Sequence, residues 1–115
     1  MTDALSNAPG NLLADLPEAS AGEIFTPIVR RRGCTIERIV SLGQITPVDA
    51  PYRQDHDEWV LLLAGRAVVD VGGCETTLLP GDHLLIPRGE AHRVIHTDSH
   101  DPTVWLAVHI TEVDR

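Results

Sequence analysis

Short runs in which every second residue is hydrophobic constrain the fold of this chain more than any other feature. From Glu23 onward such runs follow one another at regular spacing, separated by turn residues, and none has a sustained helical period. The pattern predicts eight strands, at residues 23–29, 34–42, 56–64, 66–71, 74–79, 83–87, 91–97 and 103–111. Eight short strands with Gly and Pro between them are typical of a β-sandwich or β-barrel, so the predicted fold class is all-β.

Two dipeptides predict where the chain reverses direction. Gly72-Gly73 lies between two alternating runs. A two-residue hairpin turn needs positive φ at both central positions, which glycine adopts freely. Pro80-Gly81 predicts a type II turn, because Pro sets φ at the first central position and Gly accepts the positive φ at the second.

The length of the chain limits it to a single domain. A chain of 115 residues has room for one hydrophobic core. Residues 1–22 mix Ala, Ser, Asn, Gly and Pro with a few Leu, which predicts a flexible N-terminal arm. Residues 23–115 form the predicted β-barrel domain.

The charge of the chain excludes several functions. Its formal net charge is −8, and all nine basic residues are Arg. An acidic chain is unsuited to binding nucleic acid or anionic membranes, both of which need clustered cations. The one local exception, Arg30-Arg31-Arg32, is predicted to be a solvated turn between two strands. Without Lys, a Schiff-base mechanism has no side-chain amine to use.

The cysteine pattern indicates a reducing environment. Cys34 and Cys74 are 40 residues apart and form no CxxC motif. The sequence has no secretory leader and no long apolar run, so we expect a soluble, cytoplasmic protein with reduced thiols.

Two segments resemble a known family. In the segment from Gly81 to His92, GDHLLIPRGEAH, five residues separate the first glycine from a Pro-x-Gly, and a histidine follows after two more. This spacing is that of the second cupin motif. Glu58, with Gly65 after six intervening residues, resembles the second half of the first motif. The resemblance implies a single-domain cupin jelly roll (a double-stranded β-helix of the RmlC-like type). The runs around Trp59 and Trp105 are similar to those of small bacterial cupins of undefined function.

The resemblance also implies ligands for a metal ion. Metal-binding cupins use three His and one Glu, of which Glu58 and His92 carry over directly. The His-x-His pair of the first motif is replaced here by Tyr52 and Gln54 at one spacing, or by Pro51 and Arg53 at the longer one. His96 stands where the family usually has Asn.

Strand geometry adds three candidate ligands to these two. Side chains alternate across a strand, so Gln54, His56 and Glu58 share one face of a regular strand. By the same rule His92 and His96 share a face of another. If both faces point into the barrel, Gln54, His56, Glu58, His92 and His96 converge near its mouth. Such N and O donors suit Zn(II), Ni(II), Mn(II) or Fe(II), and the spacing does not distinguish among these ions.

Each candidate also has a purely structural interpretation. A buried Glu58 needs a partner, which Arg38, Arg53 or Arg93 could supply through a salt bridge. His56 lies in an acidic stretch that could be a solvated start of a strand. His109, near the end of the last strand, could line the cavity, but it is predicted to be a hydrogen-bonded histidine of the sandwich.

Three functions remain open from the sequence. The first is a metal-dependent enzyme acting on a small molecule, by oxygen activation or metal-assisted proton transfer. The second is a non-catalytic module that binds or senses a small molecule, with or without a metal. The third is an interaction protein whose cavity is empty. One fold hosts many chemistries, so the resemblance does not decide among them. A homodimer is expected from the resemblance, and pairing would also cover the short edge strands.

Overall fold

Residues 8–112 are described by the computed structural model of the chain. Eight strands form within this range, and none of their ends differs by more than two residues from the sequence prediction. They are β1 (Ile24–Arg31), β2 (Cys34–Ser41), β3 (Asp57–Ala64), β4 (Ala67–Val71), β5 (Cys74–Leu78), β6 (His83–Ile86), β7 (His92–Thr97) and β8 (Thr103–Ile110). The predicted all-β class is confirmed. No helix among residues 8–112 is long and apolar enough to cross a membrane.

The strands form two antiparallel sheets. The larger sheet has the order β1-β2-β8-β3-β6 and the smaller has the order β5-β4-β7. Their facing sides enclose the hydrophobic core, in which Leu62 of β3, Val69 of β4 and Trp105 of β8 are buried. This is the jelly-roll arrangement of two packed sheets that the family resemblance implies.

The alternation along β3 determines which groups reach the core. Glu58, Val60 and Leu62 are buried, while the residues between them are only partly buried. Because successive side chains point to opposite faces, an inward Leu62 and Val60 require an inward Glu58. The apolar packing of this strand therefore holds one carboxylate inside the barrel.

Both predicted turns are present. Gly72-Gly73 joins β4 to β5 directly. In the turn at Pro80-Gly81, the Asp82 amide donates to the Leu79 carbonyl oxygen at 2.9 Å, and Gly81 has φ 95°. A positive φ at the third residue of a four-residue turn is the geometry of type II.

The segment before β1 contacts the larger sheet. Arg38 donates to the Leu12 carbonyl oxygen at 3.2 Å, and Gln44 donates to that of Ala19 at 2.7 Å. Ala19 is 3% exposed. Residues 1–7 of the predicted arm lie outside the described residues, and the flexibility of 1–22 stays a prediction. Cys34 and Cys74 are both free thiols.

Candidate functional site

A cavity of about 130 Å³ lies between the two sheets, with mainly apolar walls. Val60 of β3, Ile86 of β6 and Trp105 of β8 contribute to these walls. Six residues with ionisable side chains also line the cavity: Glu23, Glu37, Glu58, His92, His109 and Arg93. So many ionisable groups in an apolar cavity are typical of a binding or catalytic site.

Glu58 and His92 face each other from different sheets. They are 7% and 8% exposed, and Glu58 Oε1 lies 3.8 Å from His92 Nε2. This separation is too long for a hydrogen bond. The convergence of these two side chains, predicted from the motifs, is confirmed. Among residues 8–112, His92 is the basic side chain within 4 Å of the Glu58 carboxylate, and the alternative salt bridge to an arginine is not formed.

The tautomer of His92 determines which ring nitrogen can donate a hydrogen bond to Glu58. Its Nδ1 lies 3.1 Å from the Glu90 carbonyl oxygen, which only accepts hydrogen bonds, so Nδ1 carries the proton. In the neutral ring, Nε2 then presents a lone pair towards the Glu58 carboxylate. Two acceptors facing each other require a proton or a positively charged group between them. The contact is therefore completed either by a proton on Nε2 or by a donor or cation that enters the cavity.

Tyr52 fixes the position of His92. Their backbones exchange two hydrogen bonds, of 2.8 and 2.9 Å, and their rings stack with centroids 5.7 Å apart. Burial raises the pKa of the Tyr52 hydroxyl, and the negative charges of Glu23 and Glu58 raise it further. The phenol thus stays protonated near two carboxylates and can act there as a hydrogen-bond donor.

Gln54 brings an unsatisfied oxygen to the same cavity. Its Oε1 is buried and has no hydrogen-bond partner within residues 8–112. Its backbone is held in place, because the Gly89 amide donates to the Gln54 carbonyl oxygen at 2.7 Å. A buried amide oxygen without a partner costs about 1–3 kcal/mol, so Gln54 is a second group in the cavity that lacks a partner.

The sequence predicts that His56 shares the inward face of Glu58, but His56 is not among the residues that line the cavity. The regular alternation begins only at Asp57, and His56 lies in the bend before it. Its Nε2 contacts His109 Nδ1 at 2.8 Å, and its Nδ1 is 3.3 Å from Asp55 Oδ1. The ring is therefore committed to a hydrogen-bonded network.

The prediction that His96 shares the inward face of His92 is wrong. The pairing of β4 with β7 has a β-bulge, so that Val69 pairs with Val94 but Val68 pairs with His96. The extra residue, Ile95, shifts the alternation by one, which turns His96 outwards to the exposed face. Thr97, five residues after His92, is buried instead.

A second acid–imidazole pair was missed in the sequence. His109 Nε2 lies 2.8 Å from Glu37 Oε2, and the network continues through His56 to Asp55. The prediction of a hydrogen-bonded His109 is confirmed, but this residue and Glu37 also line the cavity. The signal was available, because Glu37 is two residues before Ile39, which also lines the cavity, and His109 is two after the buried Ala107.

The donor set falls short of a preformed centre for a transition metal. Among residues 8–112, no three His, Cys, Asp or Glu side chains are grouped so that they could hold a metal ion. Of the five predicted ligands, Gln54, Glu58 and His92 reach the cavity together, His56 is engaged elsewhere and His96 points outwards. One imidazole, one carboxylate and one amide oxygen remain.

Comparisons with known proteins agree with this architecture. The cupin domain family matches residues 40–109. A structure from Ralstonia eutropha JMP134, described as a candidate mannose-6-phosphate isomerase, is 43% identical, with TM-score 0.86, over 91% of this chain and 99% of that chain.

More distant structures share the fold. A cupin superfamily protein of Desulfitobacterium hafniense is 19% identical, with TM-score 0.74, over 90% of this chain and 92% of its own. An RmlC-like cupin of Shewanella frigidimarina is 14% identical, with TM-score 0.69, over 81% and 79%. No curated protein matches the chain. The two motifs, the two-sheet architecture and the family match together identify this chain as a member of the cupin family.

Proposed function

We propose that this cupin binds a small molecule between Glu58 and His92, with no resident metal ion required. The observation that carries the proposal is the 3.8 Å gap between a buried carboxylate and an imidazole nitrogen that presents a lone pair to it. Within residues 8–112, the Glu58 oxygens are not among the fully buried side-chain atoms that lack a partner, so the carboxylate is accessible from the cavity. A ligand that donates a hydrogen bond to it, or brings a positive charge beside it, would satisfy it. The unpartnered Gln54 Oε1 offers a third polar contact.

The size of the cavity limits the ligand. Its volume, about 130 Å³, is below the roughly 300–1,000 Å³ of pockets that hold drug-sized molecules. Apolar walls around a few polar groups suit a compact molecule with one polar end. The ligand is therefore expected to be small.

The name of the Ralstonia relative suggests a sugar phosphate as a substrate, and the charge of this cavity speaks against that for the present chain. Glu23, Glu37 and Glu58 line it, whereas the Arg93 side chain is directed to the opposite face of β7. A phosphate dianion would be repelled by this excess of negative charge. We therefore do not carry that activity over.

A titration of isotope-labelled protein with a small-fragment set tests the proposal. The fragments are neutral, cationic and anionic molecules, and the readout is the movement of backbone amide signals. At least one fragment should move the signals of Glu58 and His92, and His92→Ala should weaken its binding at least tenfold. Glu75→Gln, an exposed carboxylate on β5, is the control and should bind normally. If no fragment moves these signals, the proposal fails.

A second candidate function is a site for a divalent ion held by Gln54, Glu58 and His92. It is favoured by one specific observation: the Gln54 oxygen is buried without a partner, and a fixed tautomer directs His92 Nε2 into the cavity. Zn(II), Ni(II), Mn(II) and Fe(II) all accept such donors, and the ion would supply Lewis acidity to a bound ligand.

Metal analysis separates the two candidates. Purified protein without an affinity tag is assayed for bound metal, and its melting temperature is measured with and without added Zn(II), Ni(II) or Mn(II). Stoichiometric metal that is lost in Glu58→Gln and kept in His83→Ala, an exposed histidine, would replace the first proposal with the second.

The homodimer expected from the resemblance remains a proposal. Large apolar side chains are exposed on the larger sheet, with Leu85 of the edge strand β6 at 51% and Ile110 of the central strand β8 at 46%. Sedimentation equilibrium of the purified chain measures the oligomeric state directly, and a monomer at micromolar concentration would contradict it.

A further inference from the structure

Two aromatic rings flank the mouth of the cavity. Phe25 of β1 and Tyr52, in the loop before β3, both line it, yet they are 51% and 48% exposed. A half-exposed aromatic ring in a cavity wall leaves apolar area available for contact. Its π face also carries negative electrostatic potential.

Two carboxylates, those of Glu23 and Glu58, contribute negative charge to the same cavity. Glu23 is held in the cavity wall because the buried Ser41 hydroxyl donates to it, and Ser41 in turn accepts from Trp105 Nε1 at 3.1 Å. Glu58 and Tyr52 line the same cavity. The negative charges of Glu23 and Glu58 both raise the pKa of the Tyr52 hydroxyl. In the described part of the chain, no Arg forms a salt bridge with either of them.

The remaining charges of the cavity do not cancel this negative potential. Glu37 is hydrogen-bonded to His109 at 2.8 Å, so that pair is satisfied internally. Arg93 also borders the cavity, but it lies on β7 between the inward-pointing His92 and Val94, so its side chain is directed to the opposite face of the sheet. A net negative cavity inside a chain of net charge −8 attracts cations.

We propose that the ligand of this cavity is a small organic cation, an alkylated ammonium whose charge lies between Glu23 and Glu58 and whose alkyl groups contact Phe25 and Tyr52. This proposal rests on the proposed small-molecule binding and specifies its ligand class. A quaternary ammonium spreads its charge over methyl groups, so carboxylates and π faces stabilise it without hydrogen bonds. The apolar walls at Val60 and Ile86 suit the same methyl groups.

Four probes of nearly equal shape test the charge of the ligand. They are choline (a cation), its neutral analogue neohexanol, in which carbon replaces the quaternary nitrogen, the zwitterion glycine betaine, and the anion tert-butylacetate. Each is titrated into protein treated with EDTA, and the dissociation constant is measured by calorimetry or from amide shifts. We expect choline to bind about tenfold more tightly than neohexanol, and tert-butylacetate to bind most weakly.

Single substitutions test which side chains make choline bind more tightly than neohexanol. Glu23→Gln keeps an acceptor for the Ser41 hydroxyl but removes the charge, and should weaken choline about fivefold while leaving neohexanol unchanged. Phe25→Leu should likewise weaken choline more than neohexanol. Glu75→Gln, on the exposed face of β5, should leave both constants unchanged.

The outcomes separate this proposal from the one on which it rests. If neohexanol binds as tightly as choline, or the anion binds most tightly, the cation proposal is overturned and small-molecule binding stands. If none of the four probes moves the amide signals of Glu58 and His92, the cation proposal is overturned, and the fragment titration then decides whether the binding proposal stands. If Glu23→Gln weakens the binding of choline and of neohexanol equally, Glu23 only maintains the shape of the cavity. That result also overturns the cation proposal.

Discussion

The same cavity holds two acid–imidazole pairs that differ in one respect. Glu37 and His109 are hydrogen-bonded at 2.8 Å, whereas Glu58 and His92 are 3.8 Å apart. The looser pair is the more buried, since its side chains are 10% and 9% exposed against 20% and 18% for the tighter one. The hydrogen bond between Glu37 and His109 satisfies both side chains within the folded chain. Glu58 and His92 lack such a bond, which is the difference on which the proposed ligand binding rests.

The largest expected effect comes from removing each carboxylate. Glu37→Met leaves His109 Nε2 without an acceptor and should lower the free energy of unfolding by about 1–3 kcal/mol. Glu58→Met removes a buried charge that makes no hydrogen bond, and should leave the free energy of unfolding unchanged or raise it by about 1 kcal/mol. Urea denaturation measures both.

Equal destabilisation by the two substitutions would break the comparison. It would mean that Glu58 is satisfied within the folded chain. Glu75→Met on exposed β5 is the matched control and should change the unfolding free energy by less than about 0.5 kcal/mol.

A smaller effect should appear in the coupling between partners. A double-mutant cycle of Glu37→Gln with His109→Gln should give a coupling of about 1 kcal/mol, because the two side chains share a hydrogen bond. The cycle of Glu58→Gln with His92→Gln should give less than about 0.5 kcal/mol in the absence of ligand. A larger coupling in the second cycle than in the first would reverse the assignment.

The smallest effect concerns Tyr52, the only tyrosine of the chain. Burial and the charges of Glu23 and Glu58 raise its pKa. The folded state therefore resists loss of the phenolic proton, and its stability should fall as the pH rises above about 10, where the unfolded chain ionises first. Below that pH the Tyr52 contribution is fully present.

Tyrosinate absorbance in the near ultraviolet follows this titration without interference from another tyrosine. Glu23→Gln removes one of the two negative charges, so it should shift the titration part of the way back towards the ordinary pKa. Glu75→Gln should leave it unchanged. No shift in Glu23→Gln would show that Glu23 does not act at the mouth of the cavity.

The strands and the inward position of Glu58 could both be predicted from the sequence, because both follow from the alternation of apolar residues. Alternation and turn residues determined the strands, and the alternation that places Val60 inside also places Glu58 there. The positions of side chains outside the regular alternation were predicted wrongly. His56 precedes the first residue of β3, and the bulge before His96 leaves no mark in the apolar pattern.

Two other features depend on contacts between distant segments. Tyr52 reaches the site through an isolated bridge to His92, which no local pattern reveals. His109 and Glu37 come from strands that are far apart in the chain but adjacent in the sheet. Periodicity places each of these two side chains on an inward face, but strand order brings them together, and a single sequence does not display strand order.

The bulge in β7 also makes the protein tolerant of one kind of genetic change. Because Ile95 is the supernumerary residue, loss of its codon would leave a regular ladder in which Val94 and Thr97 keep their present partners on β4. Loss of the Arg93 codon, on the cavity side of the bulge, would instead turn His92 out of the cavity or Val94 out of the core. Deletions two positions apart thus have opposite consequences: loss of Ile95 leaves the site intact, and loss of Arg93 disrupts it.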